Sequence, residues 1–387
     1  VALAYPKELS VSLPILTRRR PTGARTRRRL LAAGAALVAA AAALTSACST
    51  QTASATGDGT VTLRYQGSTG QVTLPELADD LGYFTKVKLD WVGDTTSGPQ
   101  DIQSAATGQT DFGGAFNGAI AKLVAAGSPI TSVISYYGSD DVTFNGYYVL
   151  DGSPVKTAKD LIGKKVGMNT LGAHHEFVVR EWLAEQGLTP DEIKQVQLVV
   201  VPPVSTEQAL REKQIDVGTL GGVFRDSALK RGGLRPLFTD ASLYGKFSYG
   251  TYVFRDDFIA KNKDAVADFT QGVARAIRWT QTQPRDVVIA RYTTIIEGRG
   301  RQENTDLVQY WKSTGVSAPG GVIADKEIAL WVDWLVREGT LRKGELDPKD
   351  LYTNEFNPYS NGTYAPDAGP DGTAAPTAAA PSPAATS

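Results

Sequence analysis

The 387-residue chain contains one cysteine, one methionine and two histidines. A single cysteine excludes an intramolecular disulfide, and the adjacent pair His174 and His175 leaves little from which to build a histidine metal cage. Charge of one sign is missing too: 40 basic residues face 41 acidic ones, a formal charge of −1. That balance joins two unlike regions, since residues 1–47 hold eight basic side chains and one acid, leaving 32 basic against 40 acidic over the rest. A mildly acidic body without a block of Lys or Arg argues against nucleic acid as a partner, because a phosphate backbone demands clustered positive charge. There is no serine nucleophile elbow, no phosphate-loop lysine motif and no HExxH. The sequence therefore points away from an enzyme, and neither a metal nor a cofactor is expected.

What is present begins with an address. Arg18 to Arg29 form a positive segment, followed by the apolar run Leu30–Leu44 and the small residues Thr45-Ser46-Ala47. The run is shorter than the roughly 20 residues that span a bilayer, so it fits a signal peptide better than a permanent membrane helix. Thr26 to Leu31 resembles a twin-arginine export signal. Leu44 to Cys48 resembles a bacterial lipobox, with Thr45 where an aliphatic residue is usual. These likenesses imply a signal peptide over 1–47, lipidation at Cys48 and a Ser/Thr/Ala/Gly-rich tether over 48–59. Several acyl chains would supply stable anchoring at the outer face of the cell membrane. At the other end Ala365–Ser387 is rich in Ala, Pro, Ser and Thr and is expected to be a disordered tail.

Between these ends short apolar runs alternate with amphipathic segments. Val61–Tyr65 alternates as a strand, Pro75–Phe84 has a helical pattern, and Val87–Val92 returns to a strand. Helices are expected over 99–107 and 117–126, with Asn117 as a cap. Strands are expected at 130–136 and 146–150, and Asp151–Pro154 is a turn signal placed at a crossover. The grammar then repeats: strands at 165–168, 197–201 and 215–219 alternate with helices at 173–186, 206–213 and 223–230. Another strand at 248–254 precedes helices at 265–282, 285–292, 305–311 and 326–338. Alternation of this kind implies an α/β fold with mostly parallel sheets. It divides the chain into a first lobe over 60–150, a second lobe over 151–247, and a return to the first lobe with C-terminal helices over 248–364.

Five segments carry a family likeness. They are Leu74–Phe84 (LPELADDLGYF), Thr107–Gly113 (TGQTDFG), Leu161–His174 (LIGKKVGMNTLGAH), Arg211–Thr219 (REKQIDVGT) and Gly250–Lys261 (GTYVFRDDFIAK). In their order and spacing the chain resembles the lipoprotein solute-binding components of ABC importers. The likeness is to the sulfonate, taurine and nitrate group, to which the binders of thiamine pyrimidine precursors are related. Lys213 departs from the pattern, where glycine is usual. The resemblance implies a type II periplasmic-binding fold with a cleft between two lobes. It implies a monomer that hands a small organic anion, such as an aliphatic sulfonate or taurine, to a membrane permease and its ATPase subunits. A pyrimidine-like heterocycle, or a cell-surface enzyme on the same fold, are the alternatives.

Loops at the carboxyl ends of parallel strands are where α/β proteins bind small molecules. Ser68, Thr69, Gly70 and Gln71 follow the first strand, and their hydroxyls and N–H groups can hold an anion. Asn117 opens a helix, as a cap or as a contact to solute. Of the neighbours Tyr136 and Tyr137 only one can face the cleft. Asn169, Thr170, Leu171 and His174 lie between a strand and a long helix whose dipole suits a negative head, and the resemblance places the anionic headgroup there. Pro203, Gly221 and Gly222 fall where the second lobe would face the cleft.

Overall fold

Thr73 starts the ordered fold's first helix by a simple exchange: its hydroxyl accepts from the Glu76 N–H while Glu76 accepts from the Thr73 N–H. In the computed structural model, which describes residues 59–374, this helix α1 (Leu74–Asp80) follows strand β1 (Val61–Gly67). β1 alternates buried and half-buried positions and pairs in parallel with β2 (Val87–Asp94). Helix α2 (Gly98–Ala106), strand β3 (Phe112–Phe116), helix α3 (Asn117–Ala125) and strand β4 (Ile130–Ser139) complete the N-terminal share of the first lobe.

Asp111 joins the two parts of this lobe's sheet. Its N–H donates to the Arg64 carbonyl at 2.9 Å, and its carboxylate accepts from the Arg64 N–H at 2.8 Å and from the guanidinium. The carboxylate stands in for a strand carbonyl between β1 and β3. The aspartate of the TGQTDFG segment is thus a sheet fastener.

The second lobe is a five-stranded sheet of β5 (Gly146–Leu150), β6 (Lys165–Met168), β7 (Gln197–Val200), β8 (Val217–Leu220) and β9 (Leu234–Thr239), in the order β7-β6-β8-β5-β9. Its helices are α4 (His174–Glu185), α5 (Pro190–Ile193), α6 (Pro203–Arg211), α7 (Gly222–Arg231) and α8 (Asp240–Tyr244). The chain then returns through β10 (Phe247–Arg255), which lies antiparallel between β3 and β4. Helices α9 (Asp256–Lys261), α10 (Lys263–Thr282), α11 (Arg285–Gly298) and α12 (Asp325–Arg337) follow.

Packing explains the return. Phe112, Phe254 and Phe269 form one aromatic cluster of the first lobe, with Phe112 and Phe269 centroids 4.6 Å apart. On the other side Trp331 of α12 is fully buried and meets Phe116 edge-on at 4.6 Å. Each such residue buries enough apolar surface to contribute on the order of 2–3 kcal/mol.

Several expectations are corrected. The sheets are mixed rather than mostly parallel: β7, β6 and β8 are parallel, β5 runs against β8 and β9, and β10 runs against both of its neighbours. β5 belongs to the second sheet, so the chain first crosses between sheets through Asp140–Asn145, not at 151–154. There the Asp140 carboxylate accepts the N–H groups of Val142 and Thr143 and shapes the crossing. The Asp151–Pro154 turn instead lies inside the second lobe, just after β5, with the Asp151 N–H donating to the Gly233 carbonyl. β9 went unexpected because its residues, LRPLFT, alternate weakly and contain a proline. The helix expected over 305–311 is only a 3₁₀ turn at Val308–Tyr310.

Residues 365–374 pack rather than dangle. Ala368 is buried, Arg278 donates to the carbonyls of Asp367 and Ala368, and Arg275 pairs with Asp371 at 3.0 Å. Composition hid this because most of the partners, at Asp367, Ala368 and Pro370, are main-chain carbonyls, which every residue type supplies. The leader over 1–47, Cys48, most of the tether and positions 375–387 lie outside the described residues. Among the described residues no helix is long and apolar enough to cross a membrane.

Candidate functional site

The strand ends of both lobes converge on a cleft of about 850 Å³. The first lobe contributes the loop after β1, the loop after β2 with the start of α2, and the tyrosines of β4 and β10. The second contributes the loops after β6, β7 and β8. Ser68, Thr69, Gly70, Gln71, Tyr136, Tyr137, Asn169, Thr170, His174, Pro203, Gly221 and Gly222 all line it. Asn117 and Leu171 do not. Asn117 is 2% exposed, donates to the Glu327 carbonyl and accepts from Thr251, so it ties α3 to α12 and β10. It is the first residue of α3 and not its cap, which is Phe116. Leu171 is 46% exposed and borders a separate depression with Pro99 and Lys122.

Both tyrosines reach the cleft, against the expectation that only one would. A shift in register between β4 and β10 at this point breaks strict alternation. Tyr136 stacks on Tyr252 at 4.0 Å, and Tyr137 meets Tyr249 edge-on at 4.7 Å. Gly250 makes room: a Cβ there would come within 1.6 Å of the Tyr137 ring.

The two loops read as anion holders already carry carboxylates of the protein itself. The Gly70 N–H donates to Glu303, which is clamped by Arg299, and Thr69 donates to Asp94 at 2.6 Å. At the start of α4 the Gly172 N–H donates to Glu176 at 2.8 Å, and Glu176 pairs with Arg180. A negative group at either place would meet a like charge. α6 and α7 differ: neither has an acid in its first turn, and Pro203, Gly221 and Gly222 bring their N-termini to the cleft. Of the two, α6 opens on Pro202 and Pro203, which have no N–H, and its Ser205 N–H donates to the Pro202 carbonyl. The start of α7 is therefore the better place for negative charge.

His174 is buried deeper than a solute contact requires. Its Nε2 donates to Asp240 at 2.9 Å and its ring stacks on Tyr249 at 3.8 Å. Asp240 is fully buried and also accepts from Ser139 Oγ, the Asn145 N–H and Asn145 Nδ2, at 2.8–3.0 Å. Ser139 and Asn145 flank the first crossing, and Asp240 opens α8, after which the chain returns through β10. The cluster therefore fastens the two connections between the lobes, the hinge of the fold, to each other. Burial pushes the Asp240 pKa up, the largest single influence, but His174, Asn145 and Ser139 together hold it below its ordinary value. His175 is driven down to about 3 by burial and by the neighbouring His174, and it donates from Nε2 to Asn145 Oδ1. A neutral His175 and a tied His174 offer little acid–base chemistry.

One cleft residue escaped the sequence reading. Asp101, in the first turn of α2, is 8% exposed and lines the cleft. Its Oδ2 accepts the Gly114 N–H at 2.7 Å, whereas Oδ1 has no partner among the described residues. Burial, opposed by that single bond, pushes its pKa up to about 7. A signal was available: Asp101 sits beside Ile102 and one turn before Ala105, which are buried, so the helix turns a carboxylate inward.

Among described residues no group of three His, Cys, Asp or Glu is gathered in a way that could hold a metal ion. A cleft of this kind can enclose a small molecule, stack or pack an organic body against tyrosines and satisfy its polar ends.

Comparison with known proteins places this geometry. A binding protein of Brucella abortus (strain 2308) is 24% identical over 298 residues, covering 73% of this chain and 87% of that protein. The 4-amino-5-hydroxymethyl-2-methylpyrimidine phosphate synthase of Candida albicans (strain WO-1) is 28% identical over 226 residues, 54% of this chain and 63% of the synthase. The crystal structure of the periplasmic aliphatic sulphonate binding protein SsuA from Escherichia coli superposes with a TM-score of 0.55 at 21% identity, covering 75% of this chain and 91% of SsuA. The architecture is therefore the two-lobed, type II periplasmic-binding fold, with mixed sheets. Residues 72–287 match the family described as NMT1/THI5 like, and the chain belongs to that family.

Proposed function

We propose that the protein is the extracytoplasmic solute-binding component of an ABC-type importer, anchored through Cys48 and closing its lobes on a small organic molecule for a membrane permease and its ATPase. The observation that carries this reading is the interlobe cleft of about 850 Å³, walled by Tyr136, Tyr137, Tyr249 and Tyr252 and fed by loops from both lobes. Such a volume suits a metabolite-sized ligand. The similarity to a named sulfonate binder supports an organic acid as solute, and the N-terminus of α7 is where its head would be held. The tyrosines would receive the organic body, which also accommodates a pyrimidine-like ring.

The decisive experiment is native mass spectrometry of protein purified from its own cells, joined to small-angle scattering. One small organic molecule per chain, unchanged on release, is expected, and its addition to stripped protein should shrink the radius of gyration. Release of a chemically altered molecule would make the protein an enzyme instead. Cys48→Ala should move the protein from the membrane fraction to the soluble one, and retention after a high-salt wash would remove the lipid anchor from the reading.

A further inference from the structure

The cleft is unusual in where its charge lies. Asp101 is a carboxylate on the first-lobe wall, more than nine-tenths buried, with one oxygen bonded to Gly114 and the other unmatched by any donor among the described residues. No cation of the cleft lining faces it. Lys312, the lysine of the lining, is paired with Asp226 at 3.1 Å, and the lining contains no arginine. A buried carboxylate oxygen with no partner is costly in an isolated fold, so such a group persists where a ligand completes it.

Its surroundings narrow the ligand. Gly114 lies between the carboxylate and the Tyr136 ring: its N–H holds Asp101 Oδ2, and a Cβ at Gly114 would fall within 2.8 Å of the ring. Only glycine lets the hydroxyl end of that ring come down beside the residue that holds the acid. Tyr136 in turn stacks on Tyr252, so the acid and this tyrosine pair line the same part of the cleft. A carboxylate beside such rings repels anions and attracts a donor nitrogen by charge-assisted hydrogen bonding.

Resting on the solute-receptor reading above, we infer that Asp101 is the specificity residue of the cleft and binds an N–H-bearing nitrogen of the solute, an amine or a ring nitrogen carrying a proton. The organic acid head and this nitrogen then occupy opposite lobes, the head at the start of α7 and the nitrogen at Asp101. A solute that links the two also links the lobes. A simple alkyl sulfonate would leave the Asp101 oxygen unmatched and would be discriminated against.

Paired probes that differ by one nitrogen test this: taurine against ethanesulfonate, benzylamine against benzyl alcohol, and aminopyrimidine against methylpyrimidine. Each is titrated by calorimetry into the wild-type protein, Asp101→Asn and Asp101→Leu, with circular dichroism and thermal unfolding confirming the fold. Asp101→Asn keeps an oxygen for the Gly114 N–H and guards against a collapse of Asp101→Leu. The nitrogen-bearing member of at least one pair should bind wild type about tenfold or more tightly than its partner, and both variants should erase that preference. Binding led by the members that lack the amino group, or a preference that survives in both folded variants, overturns the role of Asp101. If no probe binds, and protein from its own cells carries no small molecule, the receptor reading itself falls. If that protein carries a molecule, the nitrogen content of its formula decides for or against Asp101.

Discussion

Two buried aspartates divide the labour of this protein between its hinge and its cleft wall. Asp240 sits where the crossings between lobes meet and accepts from Ser139, His174 and twice from Asn145. Asp101 sits on the first-lobe face of the binding surface and, among the described residues, accepts from Gly114 alone. Both are almost wholly removed from water, yet their acidities move in opposite directions, down for Asp240 and up to about 7 for Asp101. Burial raises both; what separates them is the number of donors that answer it. A carboxylate whose partners are all supplied by the fold serves the fold. One left with an open oxygen in a cleft is available to something else.

The largest effect is expected at the hinge. Asp240→Ala removes the acceptor of four hydrogen bonds and leaves buried donors on Asn145, Ser139 and His174, a loss of about 3–5 kcal/mol in denaturant unfolding. Because the folded pKa of Asp240 is depressed, its contribution is present above its ordinary value of 3.8 and disappears as pH falls through the lower folded value. A loss below about 1 kcal/mol would erase the contrast, since Asp240 would then be as poorly supported as Asp101.

His174 sharpens the same point from the other side. Although it lines the cleft, its bond to Asp240 and its stack on Tyr249 make it part of the hinge. His174→Ala should cost about 2–4 kcal/mol of stability through a lost aromatic volume and an abandoned carboxylate. Calorimetric titration beside thermal unfolding separates stability from affinity. A variant as stable as wild type that no longer binds solute would return His174 to the role of ligand contact.

Asp101→Asn should do the opposite of Asp240→Ala and stabilise the protein at high pH. The unfolded carboxyl ionises near 3.8 and the folded one near 7, so between these values the folded state holds the extra proton. Wild-type stability therefore falls as pH rises across that window and levels off above it, by on the order of 2–4 kcal/mol. Asparagine carries no such charge, so the variant should gain on wild type between about pH 5 and pH 8. Equal stabilities at both pH values would show that the carboxylate is matched after all.

How much of this was legible from residues alone obeys the same division. Alternation and helical periodicity revealed most strands and helices, and five short segments pointed to the two-lobed fold. They did so because those patterns are local. The placement of β5 and of the first crossing was not legible, since Gly146–Leu150 reads as a strand whichever sheet it joins. The aspartate of TGQTDFG was visible as a motif, but its work as a fastener depends on Arg64, 47 residues away. In the cleft, most loops were found by following strand ends. Asn117 was not distinguished from a cleft residue because its partners, Thr251 and the Glu327 carbonyl, lie far along the chain. The carboxylates Glu303 and Glu176, which occupy the loops read as anion holders, are long-range or helix-start details of the same sort.

The smallest effect is expected where the sequence pointed most firmly. Thr170 lies in the loop chosen for a negative head, but its hydroxyl makes only long contacts, 3.5 Å to Ser97 Oγ and 3.4 Å to the Leu171 carbonyl. The neighbouring Asn169 reaches the Thr96 carbonyl at the same 3.5 Å. These contacts join the rims of the two lobes across the cleft mouth and are weak by geometry. Thr170→Val keeps the shape of the side chain and removes the hydroxyl, so unfolding stability should change by less than about 0.5 kcal/mol. Affinity for the native solute should stay within about threefold, because Glu176 already accepts from the Gly172 N–H in this loop and the proposed place for the head is the start of α7. A fall of about tenfold or more in Thr170→Val, with stability intact, would put the head back at the α4 loop. The hinge and the wall would then share one end of the solute, and the opposition between Asp101 and the lobe-two helices would have to be redrawn.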